Sequence, residues 1–258
     1  MSGEKKPYVI RLDDYFIQNG MSTYRAVRKF LRNNNVLING NVVIDSGYPL
    51  NTKEDELLVN GEKILLHSHL YLMMNKKQNT LCTSAPTERE TVFSTIEESL
   101  LHPEGLPPLH TAGRLDRDTE GLLLLTTDGK LSHKLTDPET HITKTYLVNL
   151  RDSVDCNRQL KYKEIFASGT LHLPPEKKGA AFTARAAELE WDESSEDGKI
   201  CRLTLTEGKF HQVKRMFRAV GNEVVFLKRI AMGSLHLDDS IPSGEFRPLT
   251  DEEISILL

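Results

Sequence analysis

The side chains with the most chemical potential lie in the run Gly113-Arg-Leu-Asp-Arg-Asp-Thr-Glu-Gly121. Two carboxylates, Asp116 and Asp118, sit on a polar loop that leads straight into an apolar stretch, Leu122–Thr126, closed by an Asp128-Gly129 turn. A strand behind a short loop is a firm mount for an acid that attacks carbon, moves a proton or pairs with a cation. Two acids could also serve glycosidic cleavage, but carboxylates two residues apart on one short loop need not flank a bond at the spacing such enzymes use. On these features alone an ion-paired turn is the simpler account, because Asp and Gly are common turn formers.

Other chemistry is thinly represented. Cys82, Cys156 and Cys201 are odd in number and far apart, so they are expected to be reduced thiols. The nine histidines include His67-Ser-His69, but no third clustered ligand accompanies that pair and no metal is expected. His133 and His211 are read as residues that meet phosphate or solvent rather than as acid–base groups. Hydrophobic content of 38% suits a soluble globular chain, and no run approaches the roughly 20 apolar residues that span a bilayer. The opening MSGEKKPYVIRL lacks the apolar core of a secretory signal, so a cytoplasmic location, with no membrane partner, is expected.

The net charge of −4 conceals a segregation. Tyr15 to Ile44 holds four basic residues (Arg25, Arg28, Lys29, Arg32) and no acid. Lys209 to Arg229 holds six against Glu223, a local +5. Acids gather elsewhere, in Trp191–Asp197 and Asp251–Glu253. Phosphate binding follows local fields, so two basic stretches near the two ends fit a two-point grip on RNA.

The elements that must position these groups fall into two units, 1–66 and 67–258. In the first, a short helix from Arg11 ends at Gly20. A second, capped by Ser22, runs to Arg32 with Tyr24, Val27, Phe30 and Leu31 on one side and the four cations on the other. Val36–Ile44 reads as a hairpin around Asn39-Gly40. In the second unit, Tyr71–Lys77 is a strand leading into a loop and Val92–Leu101 a helical piece. Leu122–Thr126, Lys144–Leu150, Ala184–Leu189, Ile200–Thr206 and Val224–Leu227 are strands, and Gln212–Val220 is a helix. Strands outnumber helices without regular βα alternation, so the expected class is α+β with a mostly antiparallel sheet.

The helix, basic helix and Asn-Gly hairpin resemble the S4 RNA-binding module, in which the basic helix lies against phosphates. The longer string, Gly113 to Gly129, resembles the GRLDxxTxGLLLLTxDG signature of the RsuA branch of the pseudouridine synthases. Lys144-Thr-Tyr-Leu-Val148 resembles that family's Lys-x-Tyr block. Glu207-Gly-Lys-Phe-His-Gln-Val-Lys-Arg-Met-Phe217, with Leu227, Arg229 and Gly233, resembles its third block. One departure is Asn75-Lys-Lys-Gln-Asn79, where the family reads Asn-Lys-Pro-x-Gly; the loss of Pro and Gly suggests another loop path, with a bearing on substrate choice.

The resemblance implies an S4-like domain at 1–66, a catalytic domain at 67–258, and isomerisation of a uridine in ribosomal RNA without a cofactor. The expected substrate is small-subunit (16S) rRNA in an assembly intermediate, and the enzyme is expected to be a monomer. It implies Asp116 as the catalytic acid, Tyr146 as the tyrosine against the target base, and Lys214 as the cation that favours the ionised aspartate. Leu227 becomes the apolar floor of the base pocket. Arg114, Arg215 and Arg229, with Arg25, Arg28, Lys29 and Arg32, become RNA contacts, and Asp118 a turn or ion-pair residue. Arg215 adjoins Lys214, but neighbours on a helix point about 100° apart, so only one can reach Asp116. A large-subunit uridine, or an S4-type RNA binder without catalysis, are the alternatives; assays on both rRNAs and an Asp116 variant separate them.

Overall fold

The computed structural model describes residues 9–258, except 20, 24, 67–68, 85–89, 104–105 and 177–178. The chain begins with β1 (Val9–Arg11), α1 (Leu12–Gln18), α2 (Val27–Asn33), β2 (Val36–Ile38), β3 (Asn41–Val42), β4 (Pro49–Asn51), β5 (Leu57–Val59) and β6 (Glu62–Ile64). β1 pairs with β4, and the order β3-β2-β5-β6 makes an antiparallel sheet. Asn39 and Gly40 both take positive φ, 51° and 78°, as a two-residue hairpin requires. Leu12, Phe16, Val27, Leu31, Ile38, Leu50 and Leu57 fill a core whose members all lie between Ile10 and Leu66.

Two expectations here need adjustment. α2 starts at Val27 rather than after a Ser22 cap, because the Ala26 and Val27 amides bond to the Thr23 carbonyl in a preceding turn. Arg25 therefore lies on that turn, ahead of the helix that carries Arg28, Lys29 and Arg32. Gly20 and Tyr24, expected as a helix stop and a packed aromatic, lie outside the described residues, as does His67 at the expected boundary.

The second unit contains β7 (Tyr71–Lys76), α3 (Glu98–Leu101), β8 (His110–Thr111), β9 (Glu120–Thr126), α4 (Gly129–Thr136), β10 (Lys144–Leu150) and α5 (Cys156–Ala167). It continues with β11 (His172–Leu173), β12 (Phe182–Thr183), β13 (Glu188–Trp191), β14 (Ile200–Leu205), α6 (Gln212–Ala219), β15 (Val224–Met232), β16 (Leu235–His236), β17 (Phe246–Pro248) and α7 (Asp251–Leu257). The helix expected over Val92–Leu101 shrinks to one turn, since Ser94 and Ile96 close separate turns onto Thr91 and Phe93. The strand expected at Ala184–Leu189 begins at Glu188, and that at Val224 runs on to Met232.

One sheet in the order β13-β14-β10-β15-β9-β7-β17 carries the site, with β16 on β15 and β8 on β9. Its pairings among the described residues are antiparallel except β9 with β15, which makes the sheet mixed. That parallel contact sets Gly121 against Arg229. Gly121 has φ +97°, and a Cβ there would fall 2.2 Å from the Arg229 carbonyl oxygen, so the two backbones meet only because no side chain intervenes.

β9 explains the run of four leucines. Leu123 and Leu125 pack with Leu72, Met74 and Val148 on one face, while Leu122 and Leu124 pack with Tyr71, Met73 and Leu131 on the other. A strand covered on both faces reads as unbroken apolar sequence. Each buried leucine contributes about 1.5–3 kcal/mol, giving the loop before β9 an immobile base. Among the described residues, no helix is long and apolar enough to cross a membrane.

Candidate active site

The loop 113–119 enters β9 and is held from below. The Leu115 side chain is buried and its N–H donates to Cys82 Sγ at 3.5 Å. The Thr119 N–H closes a turn onto the Asp116 carbonyl at 3.1 Å. Lys76 on β7 is wholly buried, and its Nζ donates to the carbonyls of Thr119 (2.8 Å), Lys77 (3.1 Å) and Arg117 (3.3 Å). Burial, only partly offset by Cys82, Asp118 and Asp116, pushes that ammonium below its ordinary value. Sequence reading passed over Lys76, since nothing in an Asn-Lys-Lys run marks one lysine as interior.

The altered loop beside it turns through a left-handed asparagine. Asn79 has φ 65° and donates its N–H to the Arg117 carbonyl at 2.7 Å. Asn tolerates the left-handed region that Gly takes freely. The lost glycine therefore does not by itself demand another loop path.

Opposite the loop stands α6, entered through His211 at φ 50°. This kink stacks the imidazole on Phe210, centroids 3.8 Å apart, and puts its Nε2 3.8 Å from Asp116 Oδ1. His211, assigned above to phosphate or solvent, is thus a neighbour of the aspartate. His133, by contrast, is on exposed α4 surface, 3.9 Å from Asp137.

Lys214 reaches both acids. Its Nζ lies 3.5 Å from Asp116 Oδ2 and 2.5 Å from Asp118 Oδ1. Burial would raise the Asp118 carboxyl, but the bond and charge of Lys214 outweigh it and hold the group below its usual range. Asp118 is thus an ion-paired turn residue, as expected, and it shares the lysine that was assigned to Asp116 alone.

Arg215 is not a surface contact. It is 4% exposed, and its guanidinium donates to the carbonyls of Pro174 (2.6 Å), Ala180 (2.9 Å), Phe210 (3.3 Å) and Leu173 (3.4 Å), over the Phe182 ring. The helical turn between neighbours sends Lys214 to the acids and Arg215 into the protein.

Between loop and helix lies a cleft of about 740 Å³ lined by Arg114, Asp116, Lys144, Tyr146, Glu207, His211, Leu227 and Arg229 among others. Arg114 is exposed at its edge. Tyr146 and Leu227 are 8% and 5% exposed. Arg229, assigned above to RNA phosphates, is 3% exposed and belongs to the cleft interior. The signal was available: Leu227 and Arg229 are two apart on a strand and share a face, so a pocket floor at one precludes outer surface at the other. Glu207, also missed, is buried and accepts from the Arg185 amide at 2.8 Å and Gln212 Nε2 at 2.6 Å, fixing the turn into α6. Arg25, Arg28, Lys29 and Arg32 are exposed and line no part of this cleft.

An acid held by a lysine, faced by a tyrosine and roofed by a basic helix can attack or deprotonate a sugar beside a base inserted into the cleft. Comparison with known proteins agrees in outline. The profile of the family described as RNA pseudouridylate synthase matches residues 70–219. The chain is similar to ribosomal small subunit pseudouridine synthase A of Haemophilus influenzae, 38% identical over 96% of this chain and 100% of that protein. It is as similar to the Escherichia coli K12 protein of the same name, 38% over 95% and 99%. The uncharacterized RNA pseudouridine synthase YtzG of Bacillus subtilis is 36% identical over 96% and 98%. A crystal structure of a pseudouridylate synthase, 38% identical, superposes with a TM-score of 0.61 over 96% of this chain and 100% of that one.

Proposed function

The chain belongs to the RNA pseudouridine synthase family, and from that membership we propose that it converts a uridine of small-subunit (16S) rRNA to pseudouridine, with Asp116 as the catalytic carboxylate. The observation that carries the reading is the placement of Asp116 in a cleft with Lys214 at 3.5 Å and Tyr146 on the same lining. The names of the two 38%-identical relatives support the small-subunit target.

The reaction breaks the C1′–N1 bond, turns the uracil and rejoins it through C5. Nothing is gained or lost, so the chain's own groups suffice. Asp116 bonds to C1′ or removes the C2′ proton, with Lys214 3.5 Å from its carboxylate. Tyr146 packs against the base and assists removal of the C5 proton, and Leu227 closes the apolar floor. Stacked uridine must first be everted, at a cost of a few kcal/mol. Arg114 at the cleft edge meets the flanking RNA.

The unit 1–66 is read as an S4-type module and 67–258 as the catalytic domain; the separate N-terminal core and the exposed Arg28, Lys29 and Arg32 on one short helix support this. Such cations position RNA without reading sequence. The proposed setting is the cytoplasm, with a monomer acting on a small-subunit assembly intermediate. The test is incubation with small-subunit rRNA, large-subunit rRNA and partly assembled small subunits, followed by chemical-adduct mapping. One new pseudouridine in the small-subunit substrate is expected. Modification confined to large-subunit rRNA would overturn the target, and none in any substrate would overturn the activity.

A further inference from the structure

We propose that Arg229 and Lys144 form a cationic cradle that binds the carbonyl oxygens of the uracil as it leaves the sugar and holds the charge that the broken bond places on the base. This rests on the pseudouridine synthase reading above.

Arg229 is buried, yet among the described residues its guanidinium makes one hydrogen bond, from Nε to the Leu122 carbonyl at 2.8 Å. Nη2 is sealed from solvent with no partner, and among the described residues no acceptor meets Nη1 either. Lys144 is 7% exposed, and among the described residues its Nζ donates only to the Ile142 carbonyl at 2.9 Å. Among the described residues no carboxylate pairs with either cation. Burial and then the Arg229 charge push the Lys144 ammonium below its ordinary value, so the two cations feel each other. Interior charges without partners are among the most expensive features a fold can carry. Their retention in a ligand cleft points to acceptors that arrive with the ligand.

Position identifies those acceptors. Tyr146 stands opposite Arg229 in the β10–β15 ladder, Lys144 precedes Tyr146 by two, and Leu227 precedes Arg229 by two. All four line the cleft on one sheet face. An everted nucleotide enters base first, leaving its phosphates at the rim, so the oxygens that reach this floor are O2 and O4 of the uracil.

When the C1′–N1 bond breaks, its electron pair stays with the uracil and spreads over N1, O2 and O4. The deficiency at C1′ is met by a bond from Asp116, or by the electrons of the C2′–H bond after Asp116 takes that proton. After the ring turns, C5 supplies the pair for the new bond to C1′; on the first path the C1′–Asp116 bond breaks with its pair returning to the carboxylate, and on the second Asp116 gives its proton back to C2′. The C5 proton then leaves to a base and N1 takes one up, so no outside reactant enters. Fixed cations aimed at a charge that exists only during reaction act strongly in a water-poor site.

The test compares single-turnover loss of the target nucleotide, and RNA affinity, for the parent, Lys144→Met, Arg229→Lys and Arg229→Gln. The substrate carries either uridine or 5-fluorouridine at the target; the fluorinated base is more acidic and leaves more readily. A parent inactive on uridine would overturn the functional reading itself. With an active parent, each variant is expected to lose about 100-fold or more in rate on uridine, as when one oxyanion donor is removed. RNA affinity should change less than about threefold, and the rate deficit should shrink about tenfold on 5-fluorouridine. Lys144→Met should melt no lower than the parent, since it removes an unpaired interior charge. Equal deficits on both substrates, rates near the parent's, or a Lys144→Met chain that melts well below the parent would overturn the cradle.

Discussion

Two regions of this molecule bury a guanidinium, and they differ in what meets it. Around Arg215, four carbonyls and an aromatic face receive the charge. On the cleft floor, Arg229 meets one carbonyl, and among the described residues its two terminal nitrogens have no acceptor. Among the described residues the protein meets both terminal nitrogens of Arg215 and leaves only its Nε without a partner, whereas it meets neither terminal nitrogen of Arg229, which is left to a ligand. A buried cation is therefore informative through its satisfied and unsatisfied donors, more than through its charge.

Four variants break or sharpen this contrast, in falling order of expected effect. Arg215→Met strips donors from four interior carbonyls and should cost about 3–5 kcal/mol in denaturant unfolding, the usual loss when one side of a buried charge network goes. A stability within 1 kcal/mol of the parent would erase the difference from Lys144→Met. Leu123→Ala, beneath the loop, should cost about 2–5 kcal/mol, and the drop in unfolding midpoint should appear without a change of slope.

Asp128→Ala probes the other end of β9. Asp128 caps α4 through the amides of Lys130 and Leu131 and accepts from the Tyr71 hydroxyl at 3.0 Å. Burial would raise its carboxyl, but those donors prevail and lower it. Its stabilisation is thus complete above the unfolded value near 3.9 and fades as pH falls through the lower folded value. The variant should lose about 1–2 kcal/mol at pH 7, and its gap to the parent should narrow below pH 4. A gap that widens in acid would contradict this assignment.

The smallest change is expected from the exposed cations. Arg28→Ala with Lys29→Ala should weaken RNA binding several-fold and flatten its salt dependence by about 0.7–0.9 per lost contact. The rate at saturating RNA should stay the same. A lost rate with intact affinity would move those residues into the chemistry.

Much of this was legible in the chain. β10, β14 and α6 fall within a residue of their expected spans, because their patterns of burial are carried by local periodicity. The Asn39-Gly40 hairpin was equally plain, since positive φ leaves few residue choices. What stayed hidden depends on distant partners. The parallel meeting of β9 and β15 joins residues more than 100 apart, so neither Gly121's close approach nor Arg229's burial could be seen from either segment alone. Lys76 became interior because three carbonyls happen to converge on it in space. His211 was placed at Asp116 by a single left-handed residue, which spacing does not reveal.

The most direct test of the account is Asp116→Asn, assayed for rRNA binding and for pseudouridine in the same preparation. The amide keeps the shape of the side chain and removes its charge. Binding close to the parent's, with no pseudouridine formed, is the predicted result. A variant that modifies rRNA at the parent's rate would contradict it.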